Sequence, residues 1–458
     1  MLMEMSYKES SLKTIHKKVF LCMLLGQMAC SYALGIAGTA LTQASEPLGL
    51  NSFWMGLIGA GTLIGLMGSI VVGNLADRMG RRILFNIDMI LFTIISLAQF
   101  FVVGPVSLFI LRTALGLMIA IDYTVGSALL TEWLPDKWAD KFQSYLIIFW
   151  SIGFVASYFV GSAMNNLGNG AWKWIFMSSA LLSVVAAVAR IVLNIPESPE
   201  WLSTVGRKAE ALSLVHAQLG ANYSLPMVEQ GESEKVSWSE LFNEHNRINT
   251  LVGGIFYGCQ VFPYFGVSIF IPILVKNMNM GNSGTSGTIY NIFVVVGAIV
   301  GVVLFDRISR RAFLMTTFYV PAIAVIGMIL LQKAPIVITI LLFSIFALGM
   351  AASVVAENPY PPELFSARLR ASGVGAVIAI SRIGAAFGTF ILPIIVDRFS
   401  AYTALGVCAA VLIAGGVFCQ LYAPETSNKY KRKEEKLDAP YCDPNVSRTG
   451  SKNESKTS

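Results

Sequence analysis

Gly73-Asn-Leu-Ala-Asp77-Arg78-Met-Gly80-Arg81-Arg82, a charged decapeptide between two long apolar runs, returns in reduced form 229 positions later as Asp306-Arg307-Ile-Ser-Arg310-Arg311. Two further pairs repeat at almost the same step. Pro196-Glu197-Ser198 comes back as Pro424-Glu425-Thr426, 228 positions on, and Glu132-Trp-Leu-Pro135 as Glu363-Leu-Phe-Ser366, 231 on. Three pairs at nearly one offset read as a duplication. Two halves made of apolar spans in the same order are expected to build a transport site at their interface.

Away from these markers the chain is apolar. Of its 458 residues, 55% are hydrophobic and 13% charged, about half the charged share of a typical soluble domain. A soluble globular chain and a disordered one are both excluded. Windows of about 19 residues place six spans before the polar centre, near 19–41, 54–75, 83–103, 106–130, 142–163 and 174–194. Six more follow, near 250–274, 285–305, 312–331, 335–356, 372–395 and 402–422. Numbered as spans 1 to 12, they predict an all-α polytopic membrane protein of two six-helix pseudo-repeats. The expected organisation is a tail over 1–18, one half over 19–195, a central segment over 196–249, a second half over 250–425 and a disordered tail over 426–458. With both termini on one side, the segments there carry 26 Lys and Arg, against 4 in the opposite loops (Lys173, Lys276, Lys333 and Arg398). The positive-inside rule makes the crowded side cytoplasmic.

Sidedness therefore explains the net charge of +6 without nucleic acid as a partner. The six cysteines form no CxxC pair and five lie in apolar runs, which argues against a disulfide framework or a metal cluster. The sequence has no Walker motif and no large catalytic domain, so neither an enzyme nor an ATP-driven pump is expected. All three histidines, His16, His216 and His245, fall in polar segments, leaving none to relay protons within the bilayer. The apolar run after Lys18 is too long for a signal-peptide core and reads as a retained first span. In the centre, Trp201, Leu202, Val205, Leu212, Val215 and Leu219 recur at roughly helical spacing over 199–219, and Ser237-Trp-Ser-Glu240 fits a capping box. Short amphipathic helices lying under the bundle are expected there.

The decapeptide matches the loop 2–3 signature G-x-L-x-D-R-x-G-R-R of the major facilitator superfamily at every defined position, and the chain resembles that superfamily over about residues 15–426. Arg112-Thr-Ala-Leu-Gly116 resembles its span 4 motif, and Pro196-Glu-Ser-Pro-Glu-Trp-Leu202 resembles the P-E-S-P-R-W-L of sugar porters. Asp122-Tyr-Thr-Val-Gly-Ser-Ala and the stretch from Glu363 to Gly375 look like bacterial metabolite/proton symporters of the sugar-porter-like branch. The resemblance implies alternating access, with spans 1, 4, 7 and 10 around the cavity. A monomer in the bacterial inner membrane is expected, with a small molecule, protons and lipid as its partners and no cofactor.

Departures from the family pattern carry information. Val302 and Ser309 stand where the second copy would repeat Gly73 and Gly80, and Cys30-Ser31-Tyr32 occupies the place of the family's span 1 acid. Span 7 reads Tyr257-Gly-Cys-Gln260-Val-Phe-Pro-Tyr264 and lacks the paired glutamines with which sugar porters hold hydroxyls, and Glu200 replaces the arginine of P-E-S-P-R-W-L. A hexose substrate is disfavoured.

The resemblance also implies a gate. Asp77 is expected to cap the start of span 11 near Ser372, where free N–H groups and the helix dipole favour a carboxylate. Gly80 permits the tight reversal into span 3. Arg78, Arg81 and Arg82 flank it, Asp306 and Arg307 form the degenerate copy, and Glu132, Glu197, Glu363 and Arg370 complete a charge ring. Topology alone accounts for the arginines but not for the aspartate.

Charges within spans are costly and as a rule functional. Asp122, near mid-bilayer, is the expected proton site; the alternative is a permanently charged partner of some basic residue. Glu357 closes span 10 as a second titrating site or a gate, and Asp88, about five residues into span 3, is expected to snorkel to the interface. Arg112 and Arg382 are the intramembrane cations read as candidates for an anionic substrate, with structural pairing as the competing role for Arg382. Ten residues separate Arg112 from Asp122, about 15 Å along a helix and roughly 80° round it, so the two are not partners. Gln27, Ser31, Tyr32, Tyr123, Tyr257, Gln260, Tyr264 and Ser353 are the candidate cavity residues.

These observations point to secondary active transport of a small organic anion with protons. The competing readings are drug/proton antiport, with Asp122 facing a cation, sugar transport, and a non-transporting nutrient sensor. For the sensor the short cytoplasmic segments leave little room.

Overall fold

Within a bilayer core every backbone N–H and C=O must be satisfied inside the protein, so an apolar run of about 20 residues becomes a helix. The computed structural model describes residues 5–168, 170–226, 238–244, 246–278, 280, 283–357, 359–366 and 369–427. Among these residues twelve helices are long and apolar enough to cross a membrane, and each falls on one of the twelve expected runs. Span 1 covers Thr14–Ala44 and so starts earlier than expected. His16 closes its first turn, the Nδ1 atom accepting from the Lys13 N–H at 3.0 Å. That histidine is buried, which corrects its placement in a polar segment.

Spans 1 and 7 (Arg247–Ile269) are the most enclosed, with 72% and 83% of their apolar windows buried, so they are the inner helices of the two halves. At the rim, Val103, Leu181, Leu330 and Phe399 are 72–89% exposed, an apolar surface suited to lipid. The halves meet along three pairs: spans 1 and 7, spans 2 (Ser52–Gly73) and 11 (Ser372–Arg398), and spans 5 (Asp136–Met164) and 8 (Thr285–Arg307). Call the side on which span 1 begins the terminal face. Toward the other face the first two of these pairs approach until no side chain fits between them. A Cβ on Gly38 would lie 1.8 Å from the Ile269 carbonyl oxygen, and one on Gly56 would lie 2.2 Å from that of Phe390. Small residues let membrane helices touch backbone to backbone. Toward the terminal face the same helices part around a cavity. The protein is closed at the opposite face and open at the terminal one.

Three spans depart from regular helix where they meet that cavity. Span 2 is broken at Met67–Gly68, between the lining residues Leu66 and Ser69. Span 4 (Pro105–Trp133) is interrupted by a π turn over Asp122–Gly126, a widening that recurs at functional sites. Span 10 (Ile336–Glu357) ends in a 3₁₀ turn over Val354–Glu357.

The central segment differs from expectation in one place. The helix expected over 199–219 is split into Pro199–Thr204 and Lys208–Leu219. Gly206, at φ +84°, breaks it and leaves Val205 44% exposed instead of on the apolar face. The short helix expected after Ser237 is a 3₁₀ turn, Trp238–Phe242; Ser237 itself lies outside the described residues, as does the tail from 428 onward. Met5–Ser6 and Tyr223–Ser224 pair as two short parallel strands, tying the N-terminus to this segment.

If the glycine contacts hold the opposite face shut, Gly38→Ala or Gly56→Ala should wedge it open. Forced contacts of this kind cost about 1–3 kcal/mol, a shift of roughly 5- to 150-fold toward the state open on that side. A cysteine placed at Leu34, on the cavity wall, would then react correspondingly faster with an impermeant alkylating reagent applied from the opposite face. Unchanged labelling in a folded variant would contradict this closure.

Candidate functional site

The cavity between the halves has a volume of about 410 Å³, in the range of small-molecule sites. Ser69, Ser127, Gln143 and Gly375 line its mouth at the terminal face, and Leu34, Trp150, Tyr264 and Phe265 its deeper wall. Six of the expected residues are brought together here: Gln27, Tyr123, Tyr257, Tyr264, Glu357 and Arg382. Three others stand behind the wall with structural partners. Arg112 donates from Nη1 to the Ala33 carbonyl at 3.0 Å and lies 5.4 Å from the Phe176 ring. The Tyr32 hydroxyl meets the Ser178 hydroxyl at 2.8 Å, and Gln260 Nε2 donates to Ser353 Oγ at 2.8 Å. In this conformation the last three join helices to one another and do not face the cavity.

Aromatic side chains from both halves make the deep wall. Trp150 of span 5 stacks on Phe154 at 5.4 Å and stands 6.2 Å from Tyr264 and 6.5 Å from Phe265 of span 7. Its Nε1 donates to the Tyr123 hydroxyl of span 4. Sequence reading passed over Trp150 because a tryptophan in an apolar run reads as packing. Arg382 lies 5.9 Å from the Tyr257 ring centroid, and Tyr257 also faces Glu357. No carboxylate among the described residues reaches ion-pair distance of Arg382.

A second polar cluster lies inside the first half, off the cavity. Asp122 of span 4 pairs with Nη2 of Arg190 from span 6 (Ala171–Leu193), and Arg190 Nη1 bonds Asp88 Oδ1 of span 3 (Arg81–Phe101) at 2.5 Å. Arg190 Nη1 also donates to the Phe85 carbonyl, and the Cys30 thiol of span 1 donates to Asp122 Oδ2 at 3.6 Å. Gly26 makes room for the pair: a Cβ there would lie 2.4 Å from Arg190 Nη2 and 2.6 Å from Asp122 Oδ1. Asp88 is fully buried, which corrects the expectation that it snorkels; a cation deeper in the half offers it a partner that the interface does not. Arg190 itself was missed as a site residue because it sits close to the end of span 6. Two acids in spans 3 and 4 without a matching cation were the available signal.

At the terminal face the repeat becomes a network built twice. Glu197 accepts from the N–H groups of Arg81 at 3.0 Å and Arg82 at 3.2 Å, the unpartnered donors at the start of span 3. Arg81 then reaches Glu132 at 3.3 Å and Asp77 at 3.0 Å, and donates to the Ala76 carbonyl. In the second half Glu425 accepts from the N–H groups of Arg310 at 3.1 Å and Arg311 at 3.3 Å, while Arg310 reaches Glu363 at 3.4 Å and the Phe305 carbonyl. Gly80 turns the chain at φ +92°. Its counterpart Ser309 keeps φ −65° and caps the helix through its hydroxyl, which accepts from the Ala312 N–H. The carboxylate expected on span 11 is elsewhere: the Asp77 side chain is 70% exposed and pairs with Arg81 of its own half, because the face it would close is open. Arg78, Asp306 and Arg307 are exposed, and the Arg370 side chain lies outside the described residues.

The N-terminus reinforces the first network. The Tyr7 hydroxyl donates to the Glu132 carbonyl at 2.8 Å, and Lys8 pairs with Glu200 at 3.1 Å. Burial, helped by Glu200, pushes Tyr7 ionisation well above the ordinary tyrosine range, so it stays a donor.

The profile of the family described as "Sugar (and other) transporter" matches residues 19–435. The inner membrane metabolite transport protein YgcS of Escherichia coli (strain K12) is 32% identical over 400 residues, 86% of this chain and 88% of that protein. The arabinose-proton symporter of Bacillus subtilis (strain 168) is 26% identical over 437 residues, 90% of this chain and 93% of that protein. Among solved structures, a partially occluded inward-open conformation of the xylose transporter XylE from E. coli has a TM-score of 0.74 at 15% identity, covering 90% of this chain and 100% of that one. This is a likeness of fold.

Glu197 and Asp77 can be ranked by stability. Removing the cap with Glu197→Ala should cost about 1–2 kcal/mol, whereas Asp77→Asn should cost under about 1 kcal/mol because its pair is exposed and screened. Thermal unfolding of the two purified variants tests the order, and equal losses would contradict the cap.

Proposed function

The chain belongs to the sugar (and other) transporter family and is a membrane transporter; from that premise we propose that it carries a small organic anion with protons across the inner membrane by alternating access, both termini being cytoplasmic. The Lys and Arg asymmetry supports that orientation, which makes the described conformation inward-open. Asp77 then belongs to the other state, in which its carboxylate meets the start of span 11 and closes the cytoplasmic side.

Arg382 is the observation that carries the anion reading. A cation at the wall of an intramembrane cavity, with no carboxylate at ion-pair distance and Glu357 reaching it only across Tyr257, is incompletely compensated and costly as it stands. A substrate carboxylate offsets that cost through a two-point contact with the guanidinium, and a neutral sugar does not. Trp150, Tyr264 and Phe265 suit the apolar or planar body of such a metabolite. Proton coupling draws support from the proton-coupled relative, with Glu357 in the cavity and Asp122 behind it as the candidate groups.

Uptake into proteoliposomes with and without an inward proton gradient tests the reading against a panel of organic acids and pentoses. Gradient-stimulated uptake of an acid is expected. Arg382→Gln should raise its KM roughly 10- to 150-fold, the loss of one charge-assisted contact of about 1.5–3 kcal/mol. Uptake of pentoses alone would overturn the anion assignment, and no solute movement at all would favour the sensor.

A further inference from the structure

Resting on the transporter reading, we propose that Asp88, Asp122 and Arg190 form a proton-binding site inside the first half, separate from the substrate cavity, in which two carboxylates share one proton. All three side chains are fully buried. One guanidinium contacts both acids, through Nη1 to Asp88 and Nη2 to Asp122. With both acids ionised the cluster carries a net charge of −1, and the surplus charge has no counter-ion among the described residues, in a region that water does not reach. Burial of an unpaired charge is among the most expensive arrangements a protein interior can hold. One proton removes it.

Geometry says where that proton has room. Asp88 Oδ2 is buried and has no hydrogen-bond partner, whereas both Asp122 oxygens are engaged, one by Arg190 and the other by the Cys30 thiol. Among the described residues, the other titratable groups facing the cluster are Cys22 and Cys30 of span 1 and Tyr123 of span 4, none of which supplies a positive charge. Binding is a simple addition: a proton joins a carboxylate oxygen, the cluster becomes neutral, and no other bond is made or broken.

The same residues connect the site to the cavity. Asp122 opens the π turn of span 4, and the next residue, Tyr123, lines the cavity and receives the Trp150 indole N–H. Loading or unloading the proton changes how tightly Asp122 is held by Arg190. It therefore acts on the turn that positions Tyr123 and Trp150 against the substrate.

A shared proton has a signature that a single titrating carboxyl lacks. Removing either acid leaves one carboxylate on one guanidinium, a neutral pair with no need of a proton. Infrared difference spectra across an alkaline pH jump, on purified protein in lipid without substrate, read this directly. The parent should lose a protonated-carboxyl band, and Glu357→Gln, which removes the candidate proton group of the cavity, should keep the part of that loss that comes from the cluster. On the Glu357→Gln background, adding Asp88→Asn or Asp122→Asn should abolish it. Arg190→Gln leaves two acids and no cation, so its band should grow. A loss that persists when Asp88→Asn is added to Glu357→Gln, a loss abolished by Glu357→Gln alone, or a band diminished in a folded Arg190→Gln would overturn the proposal. Because no substrate is present, these outcomes stand apart from failure of the anion-transport reading, which the uptake panel alone decides.

Discussion

The conformation of each half rests on a carboxylate set against the start of a helix. Glu197 at the first N–H groups of span 3, and Glu425 at those of span 9, join the end of one helix pair to the start of another. The arginine that follows carries the link onward to Glu132 at the end of span 4, or to Glu363 in the short helix just beyond span 10. Arg81 and Glu132 are each only 13% exposed at their side chains, so their pairing is screened far less than a surface ion pair. Each half is thereby braced at the terminal face by contacts that stay within it. Where spans 1 and 7 and spans 2 and 11 meet at the other face, the contacts are glycines against carbonyl oxygens, with no ion pair to break among the described residues. Stiffness within halves and smooth contact between them is the division that rocking one bundle against another requires.

How much of this could be read from the sequence depended on which physical constraint wrote it. Hydrocarbon thickness writes span length, so all twelve spans were legible, and the duplication was legible because three motifs kept nearly one offset. Contacts between distant residues left weaker traces. Arg190 lies 102 positions from Asp88 and 68 from Asp122, and nothing in hydropathy says which way a helix turns its charged face. Asp88 was therefore sent to the interface although a partner lay inside. Glu197 was read only as one member of a charge ring, although its motif already placed it after a helix end, where a carboxylate can cap a neighbour.

The cavity was half legible for a related reason. Charged and hydroxyl-bearing residues stand out in an apolar run, and Arg382, Glu357, Tyr257 and Gln27 do line it. Arg112, Tyr32 and Gln260 stand out equally but are turned into helix contacts. Polarity marks a residue as needing a partner without saying whether that partner is protein or substrate. Trp150 shows the converse, since its indole N–H needs a partner while its ring reads as packing.

Span 4 gains a phase shift from its π turn. Such a turn holds one residue more than an α turn, so everything after Gly126 is set back by about 100° round the axis relative to a continuous helix. Asp122 points at span 6, and Glu132, ten residues on, points at the loop after span 2. In an unbroken helix, aiming either carboxylate at its arginine would swing the other away from its own. The extra residue lets one helix keep both appointments, and the number of residues between 122 and 126 is as constrained as their identity.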